Sequence, residues 1–403
     1  MEYKVKKQDC KTTLIECDNG AEYCLNTFTF ASISDQESNP LFCVSVSNNS
    51  FSIDLWRGCL LDCAYCHVQG CFYDLIESDS KITMHYAPVR RNNSTIQEVV
   101  ESLVHHPSFI PDYSLISLCT SSTEPFLNEE VTSSTIAIML EFVRKGFKNP
   151  FWIVTKMGGI ANHWEPEIRE IIESGSKILI SVCWTNNLPE IEPMRGDRFK
   201  NLRWMTDCGV LLNWYMRPLV REWNASTENL RFIMEKVGNL DLPFVNIVAG
   251  GLRWTEGIEF GMRMLHNLPL PEIAKDDNIK TLYPDTIINI KKIHDELLPE
   301  IPLFFKSSCA VSHALSLPNL NCWQFMGDVV QCENCPTEQY MRCHHIFNHL
   351  DINRINEELT RRQCGCQILF EDGTFRIEYK VQEYKAVSTA KKQVAFLLLN
   401  QIT

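Results

Sequence analysis

The chain lacks an apolar run long enough to cross a membrane, and it lacks a hydrophobic segment near its start of the kind found in secretory signal peptides. We therefore expect a cytoplasmic protein with no membrane partner. Positive charge is also scarce, since 38 lysines and arginines stand against 50 aspartates and glutamates, a net charge of −12. No dense stripe of lysine and arginine is visible, which argues against a general nucleic-acid-binding protein.

Cysteine, in contrast, is abundant, with 18 in 403 residues. Disulfides are rare in the reducing cytoplasm, so cross-linking does not account for this number. Metal binding and radical chemistry become the leading explanations.

Three of these cysteines, Cys59, Cys63 and Cys66, lie within eight residues, just after a predicted strand at 51–56. Thiolates are the usual ligands of iron–sulfur clusters. A [4Fe–4S] cluster held by three cysteines keeps one open iron, which can chelate an amine and a carboxylate. Structural zinc and buried thiols are the alternatives. Zinc sites usually pair two close cysteines with a second pair, and no such pair comes immediately after this triplet.

The spacing of three and then two residues between these cysteines, with Tyr65 before the last one, resembles the radical S-adenosylmethionine (SAM) superfamily. The resemblance implies that the open iron binds the methionine end of SAM. An electron from the reduced cluster then cleaves SAM to a 5′-deoxyadenosyl radical, which abstracts hydrogen from a substrate. It also implies an external electron donor such as a flavodoxin or a ferredoxin.

From residue 50 onward, strand, loop and helix repeat about every 30 residues, which is typical of βαβ units. The predicted strands are 51–56, 115–119, 151–155, 177–183, 210–216 and 244–249, and the predicted helices are 95–104, 133–145, 165–173, 197–207 and 227–237. Ser94 is the expected N-cap of the first helix. Six such units predict an α/β protein, which by the resemblance is a partial (β/α)6 TIM-like radical SAM barrel.

We place the barrel core at 50–254 and its completion at 255–308. The N-terminal segment, 1–49, has only a weak strand signal near 27–32, and we expect it to cover the bottom or side of the barrel. The last region, 309–403, is rich in cysteine. It contains a predicted β-hairpin around Asp372-Gly373 and a predicted helix at 386–400.

The cysteine-rich region contains a second metal-like pattern. Its candidate ligands are Cys309, Cys322, Cys332, Cys335 and Cys343. An auxiliary [4Fe–4S] cluster is the preferred interpretation, and zinc bound by three cysteines and a histidine is the alternative. Cys364 and Cys366 are too close in sequence for a common four-ligand site, so one of them is a further ligand or a radical-quenching thiol.

In parallel α/β folds, chemistry collects at the carboxyl ends of the strands. The stretch 119–126, the Thr-Lys-Met at 155–157 and a Ser…Glu-Pro…Arg pattern from Ser181 are similar to the spore photoproduct lyase-like branch of the superfamily. An ordinary helix-capping cluster and a solvated lysine are the plainer explanations. The resemblance assigns cofactor binding to Tyr65, Ser121, Ser122, Thr123, Glu124, Lys156, Ser181, Arg217 and Gly250.

Cys119 is the candidate catalytic residue. Cys119-Thr120-Ser121 matches the triplet whose cysteine, in the spore lyase, returns a hydrogen atom to the product radical. The next three residues, Ser122-Thr123-Glu124, differ from those of the spore lyase. The alternative is a small hydrophobic residue packed in the core.

These observations predict a radical SAM enzyme that modifies a small molecule or a peptide, as in ribosomal peptide maturation, with a peptide-recognition protein as a further partner. The alternative is a nucleic-acid repair lyase, which the strand ends favour and the negative charge opposes. An iron–sulfur electron carrier or scaffold would need neither an open iron nor six βα units.

Overall fold

The computed structural model describes residues 3–7, 12–28, 39–46, 50–66, 75–78, 81–83, 86–91, 93–119, 122–193, 196–272, 282–319, 335–345, 351–371 and 374–380, together with residues 394 and 397. The strands are β1 Tyr3–Lys7, β2 Thr12–Cys17, β3 Glu22–Phe28, β4 Val44–Val46, β5 Ser50–Ile53, β6 Trp56–Arg57, β7 Leu75–Ser78, β8 Lys81–Thr83, β9 Val89–Arg90, β10 Leu115–Leu118, β11 Phe151–Thr155, β12 Ile178–Cys183, β13 Leu211–Leu219, β14 Phe244–Gly251, β15 Leu303–Phe304, β16 Cys366–Glu371 and β17 Thr374–Tyr379.

The α-helices are α1 Ile96–Val104, α2 Glu129–Arg144, α3 Glu165–Glu173, α4 Leu202–Asp207, α5 Thr227–Gly238, α6 Glu256–Phe260, α7 Pro284–Leu297, α8 Ser307–Leu315, α9 Thr337–His345 and α10 Ile352–Arg361. Short 3-10 turns occur at Pro40–Cys43 and Asn162–Trp164, and a π-helical turn at Gly261–Leu265 continues α6.

A central sheet of eight strands, in the order β15-β14-β13-β12-β11-β10-β5-β4, organises the molecule. Its strands are parallel except β4, which runs antiparallel to β5 at one edge. The α/β class and the sequential order of the six predicted parallel strands are therefore confirmed. Within the described ranges the sheet keeps two edges and does not close into a barrel.

The pattern of buried residues explains how the sheet is covered on both faces. Along β12, Ile178, Ile180 and Val182 pack in the large core, while Leu179 and Cys183 belong to clusters that contain residues of α8. Alternate side chains of a strand point to opposite faces. The face that bears α8 is called here the inner face, and it is the face on which the candidate site lies.

Helix starts differ from the sequence prediction because they depend on side-chain caps. Thr95, not Ser94, is the N-cap of α1: its hydroxyl accepts a hydrogen bond from the Glu98 N–H at 3.2 Å, and Glu98 accepts from the Thr95 N–H at 2.7 Å. This reciprocal pair is a capping box. Helix α2 begins at Glu129, earlier than predicted, because Asn128 accepts from the Val131 N–H at 3.0 Å.

The N-terminal segment contains much more strand than its sequence suggested. Strands β1, β2 and β3 form an antiparallel meander. Strand β7 pairs parallel with β3, and β8 pairs antiparallel with β7, which completes a five-stranded sheet. This sheet packs on α6, where the Tyr23 hydroxyl donates to Glu259 at 3.3 Å and the Tyr23 ring meets Phe260 edge-on at 5.5 Å. It thus lies close to the cysteine loop, since Cys66 packs against the same cluster.

Among its described residues, the C-terminal region contains helices α9 and α10, most of α8, and the predicted hairpin, in which β16 and β17 pair antiparallel. The Asp372-Gly373 turn, Cys322, Cys332 and nearly all of the predicted last helix lie outside the described residues. Among the described helices, none has the length and apolar character needed to span a membrane. No disulfide joins cysteines within the described ranges.

Candidate functional site

A cavity of about 440 Å³ opens at the carboxyl ends of β10 to β14. Small-molecule sites in proteins are commonly of this size. All three cysteines of the 59–66 loop line it, and so do residues from five successive strand ends. Among the predicted site residues, its wall contains Cys59, Cys63, Tyr65, Cys66, Cys119, Ser122, Thr123, Glu124, Lys156 and Arg217.

The cysteine loop turns away from β6 at Gly58. This residue has a φ of +101°, and a Cβ atom there would lie 2.5 Å from the Tyr86 ring, so glycine is required for both reasons. The Gly58 N–H donates to the Ser122 carbonyl at 3.0 Å, and the Ala64 N–H donates to the Ile191 carbonyl at 3.0 Å. The loop is thereby attached to the segment that follows β10 and to the segment that follows β12.

A buried carboxylate links the loop to the sheet. Asp54, which comes directly after β5, accepts hydrogen bonds from Ser52 and from Ser122, both at 3.0 Å. The Thr123 hydroxyl donates to the Gly58 carbonyl. Ser122 and Thr123 therefore support the cysteine loop by internal hydrogen bonds while they line the cavity. Asp54 was not among the predicted site residues, and its position at a strand end next to the cysteine motif is the signal that could have found it.

The three loop thiols influence one another electrostatically. Burial, the charge of Cys66 and that of Glu124 raise the pKa of Cys59 to about 12. Burial is also the largest cause of the raised pKa of Cys63; Cys66 and Cys59 raise it further, while Lys156 lowers it. Three thiolates in one buried place are unstable unless a cationic group binds them, and metal binding would release the three protons.

Beside the loop lies a buried network of four side chains centred on Glu192. Lys156 donates to Glu192 Oε2 at 2.8 Å, Arg198 donates to Glu192 Oε1 at 2.6 Å, and the Tyr65 hydroxyl bonds both Glu192 and Lys156. Burial by itself raises the pKa of Glu192, but Lys156 and Arg198 outweigh it and lower the pKa to about 2. Burial by itself lowers the pKa of Lys156, but Glu192 and Tyr65 raise it well above its usual value.

This network gives Tyr65 and Lys156 a fixed position next to the cysteines, since Lys156 Nζ also lies 4.9 Å from the centre of the Tyr65 ring. Glu192 and Arg198 were part of the predicted Ser…Glu-Pro…Arg pattern, but they were not predicted to contact Lys156. That contact joins loops that come after two neighbouring strands, and no local sequence signal indicates it.

Glu124 closes the cavity between the ends of β10 and β11. Its carboxyl group accepts hydrogen bonds from the Thr155 hydroxyl and from the N–H groups of Lys156 at 3.0 Å and Phe126 at 3.4 Å. Burial nevertheless raises the pKa of Glu124. The hydrogen bonds fix the orientation of a carboxyl group that can accept from a ligand amine.

Two thiols line the cavity at strand ends. Cys119 comes directly after β10 with a φ of +55°, and its Sγ lies 3.8 Å from the Thr135 hydroxyl of α2. Cys183 ends β12 on the inner face and packs with Tyr215. Burial raises the pKa of both thiols, that of Cys183 to about 11, so both remain protonated near neutral pH. A protonated thiol is the form that can donate a hydrogen atom.

Arg217 lies on the inner face near the end of β13. Its guanidinium lies over the Tyr215 ring, 5.9 Å from the centroid, and donates to the Ser307 hydroxyl at the start of α8. Gly250 makes room for it, because a Cβ atom at that position would lie 2.6 Å from Arg217 Nε. Gly250 is therefore a neighbour that positions Arg217, and the adjacent Gly251 lines the cavity.

Ser181 lies below the cavity and not in its wall. It is fully buried, and its hydroxyl accepts a hydrogen bond from Trp152 Nε1 at 3.0 Å. The inner-face residue of β12 that reaches the cavity is Cys183, two positions further along the strand. Ser121, the remaining predicted cofactor residue, lies outside the described residues.

Three downstream cysteines, Cys309, Cys335 and Cys343, are linked through shared neighbours close to the cavity residue Cys183. Asn319 donates from Nδ2 to Cys309 Sγ at 3.1 Å and from its backbone N–H to Cys343 Sγ at 3.3 Å, and Gln339 donates to Cys343 Sγ at 3.2 Å. Cys309 and Cys335 pack against the cluster that contains Cys183. N–H donors directed at sulfur are characteristic of metal-bound thiolates, where they tune the reduction potential.

Within the described ranges, no three histidine, cysteine, aspartate or glutamate side chains converge closely enough to hold a single metal ion. A cubane cluster binds each thiolate through a different iron, so its ligands lie further apart than those of one ion.

Compared with known proteins, the chain matches no family model and is significantly similar to no curated protein.

Proposed function

We propose that the protein is a radical SAM enzyme that modifies a peptide or a small molecule. The observation that carries the proposal is that Cys59, Cys63 and Cys66 line one cavity together with the ends of five successive parallel strands. The arrangement combines thiol ligands, a small-molecule-sized space and ionic groups at the edge where α/β proteins place their active sites.

The residues present fit a [4Fe–4S] cluster and SAM. The three loop thiols are the cluster ligands, and the raised pKa values of Cys59 and Cys63 reflect burial of sulfur with too little positive charge nearby to compensate. When bound, the cluster supplies the electron that cleaves SAM to a 5′-deoxyadenosyl radical. The finer description of the sheet as a partial (β/α)6 barrel belongs to the same proposal.

The chain itself contributes binding, orientation and shielding from water. Lys156 is the cation whose charge acts on the Cys63 thiol, and in this proposal it binds the carboxylate of the methionine end. The Glu124 carboxyl, whose charge acts on Cys59, accepts from the amine. Glu192 and Arg198 keep Lys156 in position. Burial of most of these groups excludes water and with it the side reactions of a reactive intermediate.

The first test is anaerobic reconstitution of the full chain with iron and sulfide. We expect a protein that binds about four or more irons, because a [4Fe–4S] cluster contains that number. After reduction with dithionite or a flavodoxin, it should convert SAM to 5′-deoxyadenosine. Protein that takes up iron but leaves SAM intact would contradict the proposal.

A second cluster is proposed at the downstream cysteines, with zinc as the alternative there. If the candidates Cys309, Cys322, Cys332, Cys335 and Cys343 hold it, a variant that lacks the three loop cysteines should retain about four irons per chain. Replacing Cys332 and Cys335 in that background should remove them. Zinc in the purified protein, at a level unaffected by the loop substitutions, would instead assign a zinc site.

Cys119→Ala separates radical formation from radical quenching. If Cys119 donates hydrogen to a product radical, the variant should still form 5′-deoxyadenosine but should give an aberrant product, measured by mass spectrometry after incubation in deuterated buffer. The small loss of volume should cost about 1–2 kcal/mol of stability. A normal product would show that Cys119 is only a packing residue. Cys183→Ala, which removes another thiol of the cavity wall, is the matched variant for comparison.

The Cys119 position also supports the second candidate, a lyase that repairs nucleic acid. Binding to DNA that weakens steeply with added salt would favour it, because phosphate contacts release counterions. Binding to a precursor peptide, with little dependence on salt, would favour the first candidate.

A further inference from the structure

Arg217 carries a positive charge into the cavity without an acidic partner among the described residues. Its polar contact is with the Ser307 hydroxyl, and its ring contact is with Tyr215. Arg217 is half-buried, and a charge withdrawn from water is normally paired, because removing an ion from water is costly. Two other buried or half-buried cations, Lys156 and Arg198, do have an acidic partner, because both pair with the carboxylate of Glu192.

The first turn of α8 adds positive potential at the same point. The helix runs over nine residues from Ser307, its N-cap residue Lys306 makes no side-chain capping bond, and its first turn contains no acidic residue. The N-terminus of a helix carries a partial positive charge from its N–H groups. A guanidinium at this end is unfavourable unless an anion lies between them.

A third observation is the hydroxyl of Tyr215. The residue is 5% exposed and lines the cavity, and its Oη lies near the Ser307 and Ser181 hydroxyls without a hydrogen bond of good geometry within the described residues. Burial raises its pKa to about 12, while Arg217 and these two hydroxyls lower it. Buried hydroxyls are normally satisfied. Arg217, the Tyr215 ring and the start of α8 thus lie together on one part of the cavity wall.

The residues that contact Arg217 come from β13 and α8, not from the cysteine loop. Arg217 contacts Ser307 and Tyr215, whereas Lys156 contacts Glu192 and the ring of Tyr65, a residue of the cysteine loop. Cys183 lies between the two cations, since the charges of both lower its pKa. A ligand that chelates an open iron with its carboxylate must place that carboxylate beside the loop thiols, next to Lys156. The rest of SAM is a neutral nucleoside and a sulfonium, so SAM itself offers no second anion for Arg217.

We infer that Arg217, Ser307 and the first turn of α8 bind an anionic group of the substrate, a carboxylate or a phosphate. The assignment of this ligand to a substrate rests on the proposed function, whereas the anion subsite rests on the geometry alone. A guanidinium recognises both anions through two parallel N–H···O bonds. The subsite would hold the substrate by its charged end, with its reacting carbon towards the cysteine loop.

The test uses the full chain without cluster or SAM. Thermal unfolding is measured with inorganic phosphate or with acetate, each compared with sodium chloride at the same ionic strength. We expect one or both anions to raise Tm in the wild type, because a ligand that binds only the folded state stabilises it. The anion with the larger effect identifies the phosphate or the carboxylate as the preferred group.

Arg217→Met should weaken the response by about tenfold in anion affinity or more, because a charge-assisted contact is lost. Arg221→Gln is the matched control, since Arg221 is exposed and already bonded to Asp285 at 2.8 Å and 2.9 Å. It should respond like the wild type. Without anion, Arg217→Met should keep or raise Tm, because it removes a half-buried charge that no described carboxylate neutralises. A structural role for Arg217 would lower Tm instead.

Equal protection of the wild type and Arg217→Met by phosphate and acetate would overturn the inference, and so would a wild type that neither anion protects. SAM binding to the reconstituted proteins gives the second criterion. If Arg217→Met loses SAM while the wild type binds it, Arg217 belongs to the cofactor site, and the inference fails while the proposed function stands. If the wild type shows Arg217-dependent protection but never binds SAM, the anion subsite stands and the proposed function fails.

Discussion

Replacing Cys59, Cys63 and Cys66 together with alanine is expected to abolish SAM cleavage. The three thiols are the cluster ligands in the proposal, and all three line the cavity. Without them no electron reaches SAM, so the rate should fall to background. The measurement is 5′-deoxyadenosine formed by the anaerobically reconstituted, reduced protein, together with iron content and the visible absorption of the cluster.

The control must separate loss of the cluster from loss of the fold. Cys24 and Cys208 are suitable, because neither lines the cavity. A Cys24→Ser, Cys208→Ala double variant should retain SAM cleavage. The triple variant should have the same circular dichroism spectrum as the metal-free wild type. The reason is that the loop lies at the carboxyl ends of the strands, outside the sheet, and its thiols form no disulfide. Persistent SAM cleavage in a folded triple variant would rule out the proposed cluster site.

Glu192→Gln is expected to cause the largest loss of stability among single substitutions of this site. The change keeps the shape of the side chain but leaves Lys156 and Arg198 buried without their shared carboxylate. Removing one partner of a buried ion pair typically costs about 3–5 kcal/mol. The free energy of unfolding, measured by urea denaturation near pH 7, should fall by an amount in this range.

The same carboxylate predicts a pH dependence with a definite sign. Its pKa is lowered in the folded protein from 4.5 to about 2, so the unfolded chain binds the proton more readily. Its contribution is therefore complete above about pH 4.5 and is lost as the pH falls towards 2. A shift of this size corresponds to about 3 kcal/mol. The wild type should lose stability over this window more steeply than Glu192→Gln does.

Glu296→Gln is the matched control for Glu192. Glu296 pairs with Arg231 at 2.7 Å, but both side chains are exposed, so solvent screens the interaction. Its replacement should change the unfolding free energy far less than Glu192→Gln. Equal effects of the two substitutions, or equal acid sensitivity of the wild type and Glu192→Gln, would show that Glu192 is not held as a buried anion.

The sequence alone determined the α/β class and the six strands that alternate with helices along the chain; their parallel, sequential order was expected from the βαβ rhythm and the family resemblance. These features are local, because a strand buried on both faces must be apolar along its whole length, as 178–183 is, and each is separated from the next by a helix-forming segment. The cysteine spacing was equally visible, since three potential ligands in one loop need no distant partner. Two helix starts were predicted incorrectly, because Thr95 and Asn128 act as N-caps through side-chain hydrogen bonds that helix propensity does not specify.

Only the tertiary structure decided which distant residues meet. Glu192 joins Lys156 to Arg198 because the loops after β11 and β12 lie side by side, and Arg217 reaches Ser307 because α8 packs on the inner face of the sheet. The N-terminal meander was missed because its stability comes from packing on α6, not from a strong strand pattern. Burial and pairing depend on neighbours that are remote in the chain, so neither the charge state of Glu192 nor the surroundings of the Arg217 guanidinium could be inferred from residue type or spacing.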